Sequence, residues 1–153
     1  MENGTIERTI HVEASPAVVF DVVSNPEHVR AWWPDEAEFS STPGAPGRIG
    51  FDQGDSGMAW EQFTVVDAVP HRLFSFRWTH AEGTVAAANN SFLVTFELEP
   101  EGEGTLLRLT ETGFRERGWD DAKVAAEHAS HVSGWDHFLP RLPVYAAGVG
   151  TRS

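Results

Sequence analysis

Between residues 73 and 112 the chain alternates as a half-buried antiparallel sheet requires. Phe74, Phe76 and Trp78 fall on one side of a first run, and Phe92, Val94, Phe96 and Leu98 on one side of a second. Leu107, Leu109 and Glu111 share one side of a third. Successive strand side chains point to opposite faces, so each run offers one apolar face and one polar face. Residues 81–90 are small and polar and read as a loop, and residues 100–104 form a tight turn. Short connections favour antiparallel neighbours, which makes the three runs a meander.

The rest of the chain must cover that ring-rich face. Residues 5–13 alternate, with Ile6, Arg8 and Ile10 on one side, and predict an opening strand. Ser15 followed by Pro16 is a helix start, the serine as N-cap and the proline at the first helical position. Residues 17–23 are apolar almost all round, the pattern of a short buried helix. Asn25-Pro26-Glu27 repeats the start signal for a second short helix through Trp32, which Pro34 closes.

Residues 34–50 are expected to be irregular, given Pro34, Pro43, Gly44, Pro46 and Gly47. A short strand at 49–52, a turn at 54–57 and a long strand at 58–69 follow. From Trp119 the period becomes helical: Val124, His128, His131, Trp135, Phe138 and Leu142 form one stripe, with Asp120 or Asp121 available as N-cap. Pro140 and Pro143 should kink or fray its last turns, because proline lacks an N–H donor.

This order predicts an α+β domain spanning residues 1–153, with a curved antiparallel sheet of about six or seven strands. A sheet with one apolar face must bury it, and the long C-terminal helix is the only element large enough to do so. The two short helices plug one end. Where the curved sheet does not close on the helix, a cavity is expected.

Composition narrows the function. The 153 residues include six Trp and ten Phe but one Tyr, an excess of large rings that needs an enclosed volume to fill or line. The formal net charge of −12 opposes nucleic acid or an anionic membrane surface as partner. The absence of Cys removes disulfide and thiolate chemistry. No apolar run approaches the ~20 residues of a spanning helix, and the first residues lack a signal-peptide pattern, so a cytoplasmic location is the expectation.

Five stretches, in this order, carry a resemblance. An opening strand leads to Ala14-Ser15-Pro16-Ala17-Val18-Val19-Phe20, then Asn25-Pro26-Glu27-His28-Val29 with Trp32-Trp33-Pro34. Pro70-His71-Arg72-Leu73-Phe74-Ser75-Phe76-Arg77-Trp78 is a proline turn and aromatic strand. Residues 95–100 and 105–114 form a last hairpin, and His128, Gly134-Trp135 and Leu139 fall in a closing helix. Over about residues 5–147 the chain resembles the START-like (SRPBCC, birch-pollen-allergen-like) superfamily, in the branch named after the activator of the heat-shock protein 90 ATPase.

The resemblance implies a helix-grip fold with an interior pocket. It does not imply one activity, since members include ligand carriers, cyclases, hydrolase-like proteins and co-chaperones. It leaves room for a homodimer and for a chaperone partner, though no motif marks either. No cofactor is implied.

Polar candidates for the pocket are Glu111, His128 and His131: the histidines lie at i, i+3 on the helix, and Glu111 shares the inward parity of Leu107 and Leu109. These groups could orient a ligand, perform acid–base chemistry, or form a mixed nitrogen/oxygen metal site. Equally, they could be satisfied core or rim groups. Apolar candidates are Trp32, Trp33, Trp60, Phe74, Phe76, Trp78, Phe92, Phe96, Leu109, Trp135 and Phe138, divided between pocket wall and plain core. The expected function is binding of a small hydrophobic or aromatic ligand. An enzyme on the same scaffold (cyclase, dehydratase or hydrolase-like) and a co-chaperone-like interaction module are the alternatives.

Overall fold

A computed structural model describes residues 4–152, the side chains of 150–152 excepted. The opening strand β1 (Thr5–Val12) is followed by two short helices, α1 (Pro16–Ser24) and α2 (Pro26–Trp32). Six more strands follow: β2 (Glu36–Glu38), β3 (Pro46–Asp52), β4 (Met58–Val69), β5 (Leu73–Trp78), β6 (Phe92–Glu101) and β7 (Gly104–Thr112). Helices α3 (Asp121–Phe138) and α4 (Arg141–Arg152) complete the chain. The strands form one antiparallel sheet in the order β1-β7-β6-β5-β4-β3-β2, so the first strand lies beside the last.

Local chemistry sets the helix starts. The Ser15 hydroxyl accepts from the Val18 N–H at 3.3 Å, Asn25 Oδ1 from the Glu27 N–H at 3.0 Å, and Asp120 Oδ1 from the Lys123 N–H at 2.8 Å. Each satisfies a donor that the first helical turn leaves without a partner. Pro16 and Pro26 stand where their missing N–H costs nothing.

The concave face carries the rings expected of it. Phe74, Phe76, Trp78, Phe92, Phe96, Leu107 and Leu109 are all buried. A β-bulge between Val65 and Asp67 breaks the register of β4 with β5. Such bulges bend a strand and increase its twist, which helps the sheet curl around the helices.

One feature differs from the sequence expectation. The segment after α2 is not wholly irregular: β2 pairs with β3, and Arg48 Nε meets Glu38 Oε1 at 2.9 Å across the pair. This pairing brings the two backbones together at Gly47, where a Cβ would stand 2.4 Å from that of Phe39. Glycine is what admits the contact, and the same glycine made the segment look structureless.

The C-terminal helix breaks at Pro140, as its prolines predict, into two helices. Helix α3 stops at Phe138, the chain turns through Leu139 and Pro140, and α4 resumes at Arg141 with Pro143 in its first turn. Pro140 ends the hydrogen-bond ladder, while Pro143 sits where no donor is required. Helix α4 then packs against α1, α2 and β1. Covering the sheet is therefore shared: α1 lies against β5, β6 and β7, while α3 and α4 contact β1.

A candidate ligand cleft under the third helix

Glu111 is completely buried, and its carboxylate is the polar centre of the interior. Strand parity turns it inward from β7, where it pairs with Val94 on one side and Ile6 on the other. Its Oε2 accepts from the Trp78 indole Nε1 at 2.8 Å. Its Oε1 accepts from the Trp135 indole Nε1 at 2.8 Å and lies 2.9 Å from His131 Nδ1. An indole N–H can only donate, so both oxygens act as acceptors, and His131 Nδ1 supplies the third donor. Leaving a buried carboxylate unpaired costs several kcal/mol, and charge-assisted bonds of this kind offset that cost.

The cage joins three elements. Trp78 comes from β5, Glu111 from β7, and His131 and Trp135 from one helical turn of α3. Fixing Nδ1 on the carboxylate leaves Nε2 as the free nitrogen of His131, which makes no hydrogen bond to the described residues. The imidazole is held among rings, its centroid 4.4 Å from that of Phe92 and 5.4 Å from that of Trp78.

The open space differs from the enclosed chamber the sequence suggests. Trp33 occupies the middle, its ring centroid 5.0 Å from Trp135, 5.1 Å from Trp78 and 5.7 Å from Phe76. Free volume remains beside it as a cleft between α3 and strands β3 to β5. One compartment of about 190 Å³ is lined by Trp33, Phe51, Trp78, Ser130, His131, Gly134, Trp135 and Phe138. A second, of about 380 Å³, shares Phe51, Trp78 and His131 and adds Glu61, Thr79, Phe92, Arg117, Trp119 and Glu127. The two compartments adjoin at these shared walls, and the second by itself falls in the ~300–1,000 Å³ range of ligand pockets. A separate groove of about 490 Å³ lies behind Trp135, between β1 and the break at Pro140.

The second compartment is polar. Burial pushes the Glu61 carboxyl's pKa up; His131 opposes that shift and Glu127 adds to it. Arg117 Nη2 donates to Thr79 Oγ1 at 2.9 Å, and the guanidinium lies 4.3 Å above the Phe92 ring and 4.8 Å above Trp119. Burial lowers its pKa, opposed by Glu127.

The sequence candidates divide cleanly. Trp33, Trp78, His131, Trp135 and Phe138 line the first compartment, and Phe92 lines the second. Glu111 stands behind the wall, holding it. Trp32, Phe74, Phe76, Phe96 and Leu109 are packed into the core and line none of this space.

Two candidates lie elsewhere. Trp60 is on the outer face of β4 under the Arg48 guanidinium, 3.8 Å from its ring centre, because Phe63 and Val65 set the inward parity. His128 turns toward β1, where its Nε2 meets the Thr5 carbonyl at 3.1 Å. The metal alternative loses a ligand with it: among the described residues no three His, Asp or Glu side chains form a metal-binding group.

Phe51, Glu61, Thr79, Arg117, Trp119, Glu127, Ser130 and Gly134 were not among the sequence candidates for the site. A signal existed for two of them: Glu127 lies four residues before His131 and Gly134 three after it, both helical spacings of one face.

No helix among the described residues is long and apolar enough to cross a membrane. Comparison with solved structures returns the same fold. A protein from Mesorhizobium loti matches with a TM-score of 0.72 at 20% identity, covering 92% of this chain and 95% of that one. DynU16, a protein in the dynemicin biosynthetic locus, matches with a TM-score of 0.68 at 25% identity, covering 93% of this chain but 46% of its own. The Aha1 dimer from Colwellia psychrerythraea matches with a TM-score of 0.58 at 16% identity, covering 88% and 96%. A search of curated proteins finds no match. The family model described as activator of Hsp90 ATPase homolog 1-like protein matches residues 13–147, and the chain belongs to that family.

Proposed function

We propose that the protein binds a small aromatic or apolar molecule in the cleft under α3, with His131 as its polar handle. The observation that carries this reading is the commitment of a wholly buried Glu111 to Trp78, Trp135 and His131. A core that served folding alone would gain by an aliphatic residue at 111, because apolar packing avoids the desolvation of a carboxylate. Here the carboxylate fixes two indole walls and one imidazole of the same cleft. Walls held rigid before a ligand arrives reduce the ordering cost of binding. The likeness to DynU16, a member of a biosynthetic locus, is in keeping with a small-molecule ligand.

A second reading is acid–base chemistry on the bound molecule. One distance favours it: Glu111 Oε1 at 2.9 Å from His131 Nδ1, the arrangement of a base and its orienting group. His131 Nε2 would then take or give the proton. A homodimer is compatible with the dimeric relative, and a chaperone contact belongs to the same family reading.

Calorimetric titration with the neutral probe 2-naphthamide, alongside mass spectrometry of molecules that copurify with the protein, tests the first reading. Saturable binding near one equivalent supports it. No heat and no copurifying molecule from a folded sample would remove it. Acid–base chemistry needs turnover that His131→Gln abolishes while binding persists.

A further inference from the structure

The second compartment contains a cation that makes no direct ion pair with a carboxylate of the protein. Among the described residues, Arg8, Arg30 and Arg48 each pair with a carboxylate within 4 Å, in a chain carrying a formal net charge of −12. Arg117 does not, and neither do Arg72, Arg77, Arg108, Arg115 and Arg141; Arg117 differs from these in facing a compartment that also holds Glu61 and Glu127. Its Nε is buried and has no hydrogen-bond partner, and its Nη2 is satisfied by the neutral hydroxyl of Thr79. A buried donor without an acceptor is rare enough to require a cause.

The arginine is also held in place. The Phe92 and Trp119 rings both lie against the guanidinium, and Gly118, in the left-handed region at φ 77°, turns the chain so that Trp119 comes back onto it. Thr79 accepts from Arg117 while itself at φ 71°, where a β-branched residue is a strained outlier. That conformation is secured by the Thr79 N–H donating to the Gln62 carbonyl at 2.9 Å. Strain of this kind gathers at ligand clamps. Glu61 and Glu127 share the compartment, but neither carboxyl comes within ion-pair distance of the Arg117 guanidinium, and burial raises the pKa of Glu61.

We propose that Arg117 receives a carboxylate, so that the ligand is an aromatic or apolar acid whose ring lies against Trp33 and Trp135 and whose carboxylate reaches the second compartment. This rests on the cleft being a binding site and adds the chemical class of its occupant. Guanidinium and carboxylate match as planar partners, and a carboxylate here supplies the direct ion pair that Arg117 lacks.

Three probes of one shape separate the possibilities: 2-naphthoate, 2-naphthamide and 2-naphthylmethylammonium, titrated by calorimetry into the wild-type protein and Arg117→Met. The expected result is about tenfold or more tighter binding of the carboxylate than of the amide in the wild type, with that preference gone in Arg117→Met. The methionine variant keeps an apolar contact with Phe92 and Trp119, and its amide NMR spectrum reports its fold. If it does not fold, the order of the three probes on the wild type decides. Equal binding of carboxylate and amide, preference for the ammonium, or preference retained in a folded Arg117→Met overturns the assignment while leaving the cleft intact. Failure of all three probes to bind overturns both.

Discussion

The rings of Trp33 and Trp135 lie 5.0 Å apart and 32° from parallel, and this contact joins the segment after α2 to α3 over the middle of the sheet. Trp33 also touches Phe51, Phe76 and Trp78, so one residue closes the space between strands and helix. Its removal should therefore be felt twice. Trp33→Ala is expected to cost about 3–5 kcal/mol in chemical denaturation and to enlarge the first compartment. A loss below 1 kcal/mol would mean that the ring is peripheral.

Glu111→Gln keeps the volume but replaces one acceptor oxygen by a donor. One of the three N–H groups then faces another donor, at a cost of about 1–3 kcal/mol. Denaturation gives the energy, and the indole N–H resonances of Trp78 and Trp135 show which bond is lost. Unchanged indole shifts would contradict the cage.

Gly134 lines the cleft, and a Cβ built there meets nothing within 4 Å. Gly134→Ala should stabilise α3 by up to about 1 kcal/mol, the difference in helix propensity. Gly134→Leu should fold normally and project into the first compartment. Calorimetry with 2-naphthamide should show binding weakened at least about tenfold in the leucine variant.

His11 gives a pH-dependent test away from the cleft. The hydrogen bond that its Nδ1 donates to Glu101 Oε1 at 2.5 Å is the main cause raising its pKa above 6.5; desolvation opposes this, and Glu13 adds to it. A raised folded value means that the stabilisation is fully present below the unfolded pKa and is lost as pH rises through the folded one. The denaturation midpoints of the wild type and His11→Gln should differ most below about pH 6 and converge in alkaline solution. A gap that widens with rising pH would reverse the assignment.

Much of this fold could be read along the chain because its signals are local. Ser15, Asn25 and Asp120 cap their helices through their own side chains, and the alternation in β5 to β7 reports burial directly. Glu111 was found by parity, and its facing His131 by helical spacing. Trp60 shows parity ignored: Phe63 lies three residues on, so the two cannot share a face of one regular strand. Arg117 and Thr79 stand in irregular segments after strands β7 and β5, where no period applies, and only the folded chain brings them within 2.9 Å. Trp33 was legible as a cleft residue but not as the plug that fills the expected chamber, because occupancy depends on a tertiary distance.

The occupancy of the cleft is tested most directly by following the indole and backbone N–H signals of 15N-labelled protein during titration with 2-naphthamide. Saturable shifts of the Trp135 and Trp78 indoles and of the Gly134 amide are expected, with the indole shifts in Gly134→Leu needing at least about tenfold more probe. Shifts that are absent from the folded wild type, or that persist unaltered in the leucine variant, would contradict a ligand beneath α3.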